Sequence, residues 1–253
     1  MPALLLLNCT VDASGSPDSL WKALYNTDDI SRKISIYLSI SKTYEDSRPD
    51  SAVHYWKEAK NLAIRQKSDR PIADVYAQAA FFALKQNQLD QAYLNFTLAA
   101  KYYRNADEIR LYVRMKSMLG SLCQVRDNLS EAMTYYMEVI SLSEERKLFT
   151  ILPHVLNNVG NIYMDAAEFS QALGYYTRAA EIFRQIRDSV NIVYPLVNMA
   201  ECYYYLDNNT LSGDYIRQGL EVAVVSGDRL IESRCLMLMG MIHEKEHDYA
   251  GAA

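Results

Sequence analysis

Asn157, Asn158, Asn161 and Asn198 are the residues of this chain whose type and grouping most plainly carry chemistry. A primary amide donates and accepts at once, and a peptide backbone, with its N–H and C=O groups, needs both. Tyr194, Tyr204 and Tyr205 add large, low-entropy apolar surface with a polar tip. This is the chemistry of recognition. The chemistry of bond-making is not represented by any motif: there is no Gly-rich phosphate loop, no Gly-x-Ser-x-Gly and no His-Glu-x-x-His. The four histidines, His54, His154, His243 and His247, are scattered, and the one pair at helical spacing, His243 and His247, falls on a packing position and an expected turn. No metal site is expected there. Cys9, Cys123, Cys202 and Cys235 form no C-x-x-C pair. The last three fall on or beside packing positions, which makes them small buried thiols. The chain is therefore read as non-enzymatic and without a cofactor.

The elements that must hold these side chains repeat at one interval. Ala80, Gly120, Gly160, Ala200 and Gly240 stand 40 residues apart. Twelve residues after each come Ala92, Ala132, Ala172, Ser212 and Ala252, and sixteen residues after come Phe96, Tyr136, Tyr176 and Ile216. A stack of two-helix units demands such a register, because each unit meets the next through the same contacts. In the clearest unit Leu156, Val159, Gly160 and Tyr163 form one helical stripe, and Phe169, Ala172, Leu173, Tyr176, Ala179 and Ala180 form a second. Gly160 is expected to face Ala172 across the hairpin, and Ser170 to cap the second helix. Pro71, Pro153 and Pro195 sit near helix starts, where a missing N–H costs nothing.

The order Leu156, Val159-Gly160, Tyr163, Ala172, Tyr176, Ala179 resembles the motif of the tetratricopeptide repeat family. The neighbouring units read Leu196, Met199-Ala200, Tyr203, Ser212, Ile216, Gly219, and upstream Leu119-Gly120, Cys123, Ala132, Tyr136, Val139 and Tyr76, Ala79-Ala80, Ala92, Phe96, Ala99. The first unit fits with Ala52 one residue early after Ser41, which implies a one-residue deletion near Pro49-Asp50. Lys116, where a bulky apolar residue belongs, and Asn208-Asn209, where a turn-packing apolar residue belongs, depart from the pattern. The resemblance implies an all-α, right-handed superhelical solenoid over residues 31–253, with repeats near 33–66, 73–106, 113–146, 153–186, 193–226 and an incomplete one at 233–253. The sixth unit is expected to stop one turn into its second helix. Repeats longer than the usual form are similar to a branch seen in kinesin light chains and bacterial signalling sensors.

The resemblance further implies that first helices line a concave groove, with Arg114, His154, Asn157, Asn158, Asn161, Tyr194, Asn198, Glu201, Tyr204 and Tyr205 among the residues facing it. In related proteins asparagines at the sites of Asn158 and Asn198 hold an extended peptide. The other reading is that they tie one first helix to the next, and both stand open. The implied partner is a protein or peptide segment, with a homodimer as a further expectation.

Residues 1–30 differ in kind. Met1 to Leu7 is apolar, and Leu6-Leu7-Asn8-Cys9 resembles the end of a lipoprotein signal, with Cys9 as the lipidated residue and a polar linker after it. Together with the 40-residue units this is similar to the exported sensory half of Bacteroidetes regulators, in which repeats precede a membrane helix and a histidine-kinase or helix-turn-helix output. The expectation is an extracytoplasmic sensor within a larger regulator. The alternative is a cytoplasmic scaffold or peptide-pheromone receptor. A net charge of −5 with no basic block argues against nucleic acid as the partner of this segment.

Overall fold

The computed structural model describes residues 17–252. Cys9, and the lipid anchor expected of it, lie outside the described residues. Twelve α-helices, and no strand, occur among those described: α1 (Pro17–Tyr25), α2 (Ile30–Tyr44), α3 (Pro49–Gln66), α4 (Asp69–Lys85), α5 (Leu89–Asn105), α6 (Ile109–Val125), α7 (Leu129–Glu145), α8 (Leu152–Asp165), α9 (Phe169–Gln185), α10 (Val193–Tyr205), α11 (Asn209–Ser226) and α12 (Arg229–Ala252). Within the series α2 packs on α3, α4 on α5, α8 on α9 and α10 on α11. The fold is all-α, as the periodicity predicts.

The turns reveal a period shorter than that of the packing stripes. Lys67, Asn87, Asp107, Asp127, Lys147, Ala167, Arg187, Asp207 and Gly227 all have φ between 53° and 71°, the left-handed region, and they are spaced by twenty residues. From Asn87 onward each closes its helix in the same way. The Asn87 N–H donates to the Leu84 carbonyl at 3.0 Å and the Gln88 N–H to the Ala83 carbonyl at 2.8 Å. The pair recurs as Ala167 to Met164 at 2.9 Å and Glu168 to Tyr163 at 2.8 Å. These bonds satisfy carbonyls that a helix end leaves unpaired. One helix with its turn is thus the structural module, and the 40-residue register is two of them. The turn between α2 and α3 lacks a left-handed residue, and it is the turn to which the sequence assigns a deletion.

Two serines report the close approach inside hairpins. Ser41 Oγ donates to the Ala52 carbonyl at 2.8 Å, and Ser212 Oγ donates to the Ala200 carbonyl at 2.7 Å. In register these are the same pair with serine and alanine exchanged, which verifies the eleven-residue spacing of the first unit against the twelve-residue spacing of the fifth.

The chain divides into two compact units, through Tyr135 and from Tyr136 on. In the first, Leu20 of α1 buries against Ile36 and Ile40, with Trp21 and Leu24 packed beside them. Residues 17–25, assigned to a linker from sequence, therefore add a helix to the first hairpin. In the second, Ala172 and Tyr176 pack with Met199 and Cys202, Ala180 and Phe183 with Ile192 and Leu196, and Ile216 and Ala223 with Ile231, Cys235 and Leu238. In this unit α9 and α11 each bury one face against their own partner and another against the next first helix.

Several local expectations are corrected or extended. Gly160 also meets the ring of Tyr176, one helical turn beyond Ala172, a contact the spacing does not single out. Ser170 falls inside α9 and makes no cap; Glu168 holds the N-cap position without a side-chain bond. Lys116 is half-buried and its ammonium sits 4.8 Å from the Tyr135 ring centre, so a cation–π contact stands where an apolar side chain was expected. Asn208 caps α11, its Oδ1 accepting the Leu211 N–H at 3.1 Å. Finally, α12 runs unbroken through the positions where a sixth turn was expected. Glu244-Lys245-Glu246 are good helix formers, which carry it through.

Candidate functional site

The asparagines expected to face a groove form a bonded set in the second unit. Asn198, on α10, donates from Nδ2 to Asn157 Oδ1 at 3.0 Å and to Asn161 Oδ1 at 3.1 Å, both on α8. The Tyr176 hydroxyl, on α9, donates to the same Asn161 Oδ1 at 2.8 Å. Asn157 and Asn198 are buried, and Asn161 is half-buried. Burial pushes the Tyr176 phenol well above its ordinary pKa, so the hydroxyl is a fixed donor. Three helices are thus joined by one amide network. Asn158 stands beside it, half-buried, with its Nδ2 3.4 Å from the Tyr136 hydroxyl.

The remaining predicted residues flank this network at the two ends of the first helices. His154, at the start of α8, is buried edge-on against Phe183 with ring centres 5.0 Å apart, and its Nδ1 has no hydrogen-bond partner. Desolvation lowers its pKa, against the opposing pull of Asp188. Tyr194 takes the same register position on α10. Burial raises its phenol pKa, and a hydrogen bond to Asp228 adds to the shift. Glu201 is paired with Arg234 of α12. Tyr204 is covered by Lys245, whose ammonium lies 4.7 Å from the ring centre and 3.3 Å from the Tyr204 carbonyl oxygen. Tyr205 is turned to the end of its hairpin, where it stacks on Phe169 at 5.0 Å. Arg114 belongs to the first unit. Its guanidinium lies 5.7 Å from the Phe81 ring centre, with Nε and Nη2 buried and unpartnered.

The structure therefore joins Asn157, Asn161 and Asn198, sets Asn158 beside them, and engages Glu201 and Tyr204 with residues of α12. Sequence reasoning missed Tyr176 as a member of the set. It reads as a packing residue, and only the position of its hydroxyl beside Asn161 reveals the second role. Among the described residues no group of three His, Cys, Asp or Glu is placed to hold a metal, and no helix is long and apolar enough to cross a membrane. The Cys123 and Cys202 thiols are pushed up by burial, to about 11 and about 12, which suits packing and not nucleophilic attack.

No protein-family model matches the chain, and no curated protein matches it. Solved structures do. The apo form of RapI superposes with a TM-score of 0.74 at 16% identity, covering 87% of this chain and 84% of that one. The fold is that of the tetratricopeptide-like helical-repeat proteins. The apo quorum sensor NprR from B. thuringiensis gives a TM-score of 0.69 at 16% identity over 90% of this chain and 63% of its own. A plasmid Rap conjugation gene regulator, solved in complex with a peptide, gives 0.66 at 14% identity over 85% and 60%. The chain spans less than two thirds of the last two. At such identities the likeness is one of tetratricopeptide-like architecture, and the amide network has to be argued from this chain's own residues.

Proposed function

We propose that this chain is a non-catalytic, peptide-binding regulatory module that uses the amide-rich side of α8 and α10. The observation that carries the reading is the network of Asn157, Asn161 and Asn198. Both bonds to α8 use the Asn198 amide nitrogen, and its carbonyl oxygen is the group that could meet an incoming N–H. Asn158 lies next to the network and is half-buried, and an amide there has the donor-and-acceptor chemistry that an extended backbone needs. The likeness to a Rap regulator solved with a peptide, and to a quorum sensor, supports the same class of ligand. A peptide library displayed against the purified full chain tests this. Enrichment of extended peptides, lost in Asn158→Ala while folding is retained, is expected; no enrichment over a scrambled protein surface sinks the reading.

We further propose an extracytoplasmic sensor role within a larger regulator, supported by Leu6-Leu7-Asn8-Cys9. The alternative, a cytoplasmic peptide receptor, draws support from the likeness to NprR and Rap proteins. Cell fractionation with a Cys9→Ser variant separates them. Membrane association that depends on Cys9 supports export, and a soluble chain indifferent to the substitution supports the receptor.

A further inference from the structure

A cleft of about 260 Å³ opens between the first two hairpins, wholly inside the first unit. Val53 and Trp56 of α3 and Ala79, Phe82 and Ala83 of α4 supply apolar and aromatic lining, and Gln78 lies among them, with further polar side chains from α2 and α5 at the edge. The register explains why space is left here. Ala79 stands where Leu119, Val159 and Met199 bury larger side chains. The cleft therefore includes the volume of a side chain that other hairpins carry and this one lacks.

Gln78 gives the cleft a chemical preference. Its Nε2 donates to the Leu38 carbonyl at 3.0 Å. A carbonyl can only accept, so the orientation of the amide is set, and Oε1 is left buried with no partner. A buried acceptor without a donor costs free energy that a ligand N–H or O–H would recover. Charge is not called for. The Glu45 carboxylate in the wall is already met by Lys85 at 3.1 Å, and a further buried charge would stand uncompensated. Trp56 is held by its own bond from Nε1 to the Val75 carbonyl at 2.9 Å, so it presents a fixed ring surface. The volume exceeds the roughly 150 Å³ of a cavity that takes up benzene.

We propose that this cleft binds a small, uncharged aromatic molecule carrying one hydrogen-bond donor, of the size of indole. The proposal is independent of the asparagine face and does not rest on the peptide reading.

Indole and benzofuran, alike in shape but differing in the donor, test it by titration into the labelled full chain, read from the Trp56 Nε1–H and Gln78 side-chain amide signals. Indole should shift both, with a Kd on the order of 1 mM as its nine heavy atoms permit. Benzofuran should bind roughly fivefold more weakly, the worth of one hydrogen bond. Gln78→Met should remove that difference. Ala79→Leu, which restores the side chain found in register at Leu119, should abolish binding; Gln78→Met carries the test if Ala79→Leu fails to fold. Equal binding of indole and benzofuran to the native protein, unaltered binding to folded Ala79→Leu, or no shift of either signal at millimolar indole would overturn the proposal. Tighter binding of a capped Gly-Trp-Gly peptide than of indole would overturn the small-molecule assignment in favour of a peptide side chain.

Discussion

The ring of Tyr176 lies against the bare Cα of Gly160: a Cβ built there would be 2.5 Å from Cε1 and 2.7 Å from Cδ1. Those are ring atoms of a fully buried side chain, whose hydroxyl is also bonded to Asn161. The ring cannot swing away without leaving the amide network. Gly160→Ala is therefore expected to cost about 1–3 kcal/mol by overpacking. The next hairpin supplies the compensation, since it carries Ala200 and Ile216 at the same two positions, both buried in one cluster. Gly160→Ala combined with Tyr176→Ile should recover part of the loss. A double-mutant cycle in urea, with a coupling of at least ~1 kcal/mol, is the check; additive losses would mean that the contact is not the cause.

Ala167 occupies a left-handed turn with φ 59° and has no side-chain polar group to soften the strain. Asn and Asp, which hold four of the eight equivalent non-Gly positions, tolerate this region better than alanine does. Ala167→Gly should raise stability by up to about 1 kcal/mol, after the added entropy of the unfolded chain is discounted. Gly227→Ala, at φ 71°, should lower it by a similar amount or more. Thermal melts of the two variants should move in opposite directions.

The same turns show where the sequence was legible and where it was not. The packing stripes declare themselves, because Ala, Gly and Tyr recur at 40 residues wherever helices must approach closely. Even the shortened first hairpin can be read, and the Ser41–Ala52 bond bears it out. The twenty-residue rhythm of the turns stays hidden, because only Gly227 among the nine left-handed residues is the glycine that marks such a turn. Asn87, Asp107, Asp127 and Asp207 are types that tolerate the region but are common elsewhere, lysine, arginine and alanine at the other four carry no turn signal, and the conformation is imposed by the two helices that each turn joins. Tyr205 shares the residue type of Tyr194 and Tyr204, yet it ends its helix and stacks on Phe169. Helical spacing assigns a face and not the neighbour at the end of a hairpin. The cleft beside Gln78 is silent for a related reason. It is made by Ala79 being small, and an alanine in a helix looks ordinary until its register partners are compared.

Asn198 has a structural duty in the tie between α8 and α10. Removing its amide deprives Asn157 and Asn161 of a shared donor at a buried position. Asn198→Ala should cost about 1–3 kcal/mol, the penalty for acceptors left unsatisfied away from water. Asn158 is half-buried and its bond to the Tyr136 hydroxyl is long at 3.4 Å, so Asn158→Ala should cost less than Asn198→Ala. Denaturant midpoints decide. Equal effects of the two substitutions would show that both asparagines serve as ties within the fold.

His154 gives the second unit a dependence on acid. It is buried, its Nδ1 is unpartnered, and desolvation holds its folded pKa below the ordinary 6.5 despite the pull of Asp188. Between the lowered folded pKa and 6.5 the unfolded chain binds more protons than the folded one, so stability rises with pH across that window. The stabilising share of neutral His154 is complete above about pH 6.5 and is lost as the pH falls below it, with a slope of at most about 1.4 kcal/mol per pH unit. Phe183 at 5.0 Å offers an aromatic neighbour to any ring that replaces the imidazole. His154→Phe should therefore fold and should show a flatter stability profile from pH 7 to 5, while the two proteins run parallel above pH 7. A variant whose profile in acid matches the native one would show that another group bears the titration.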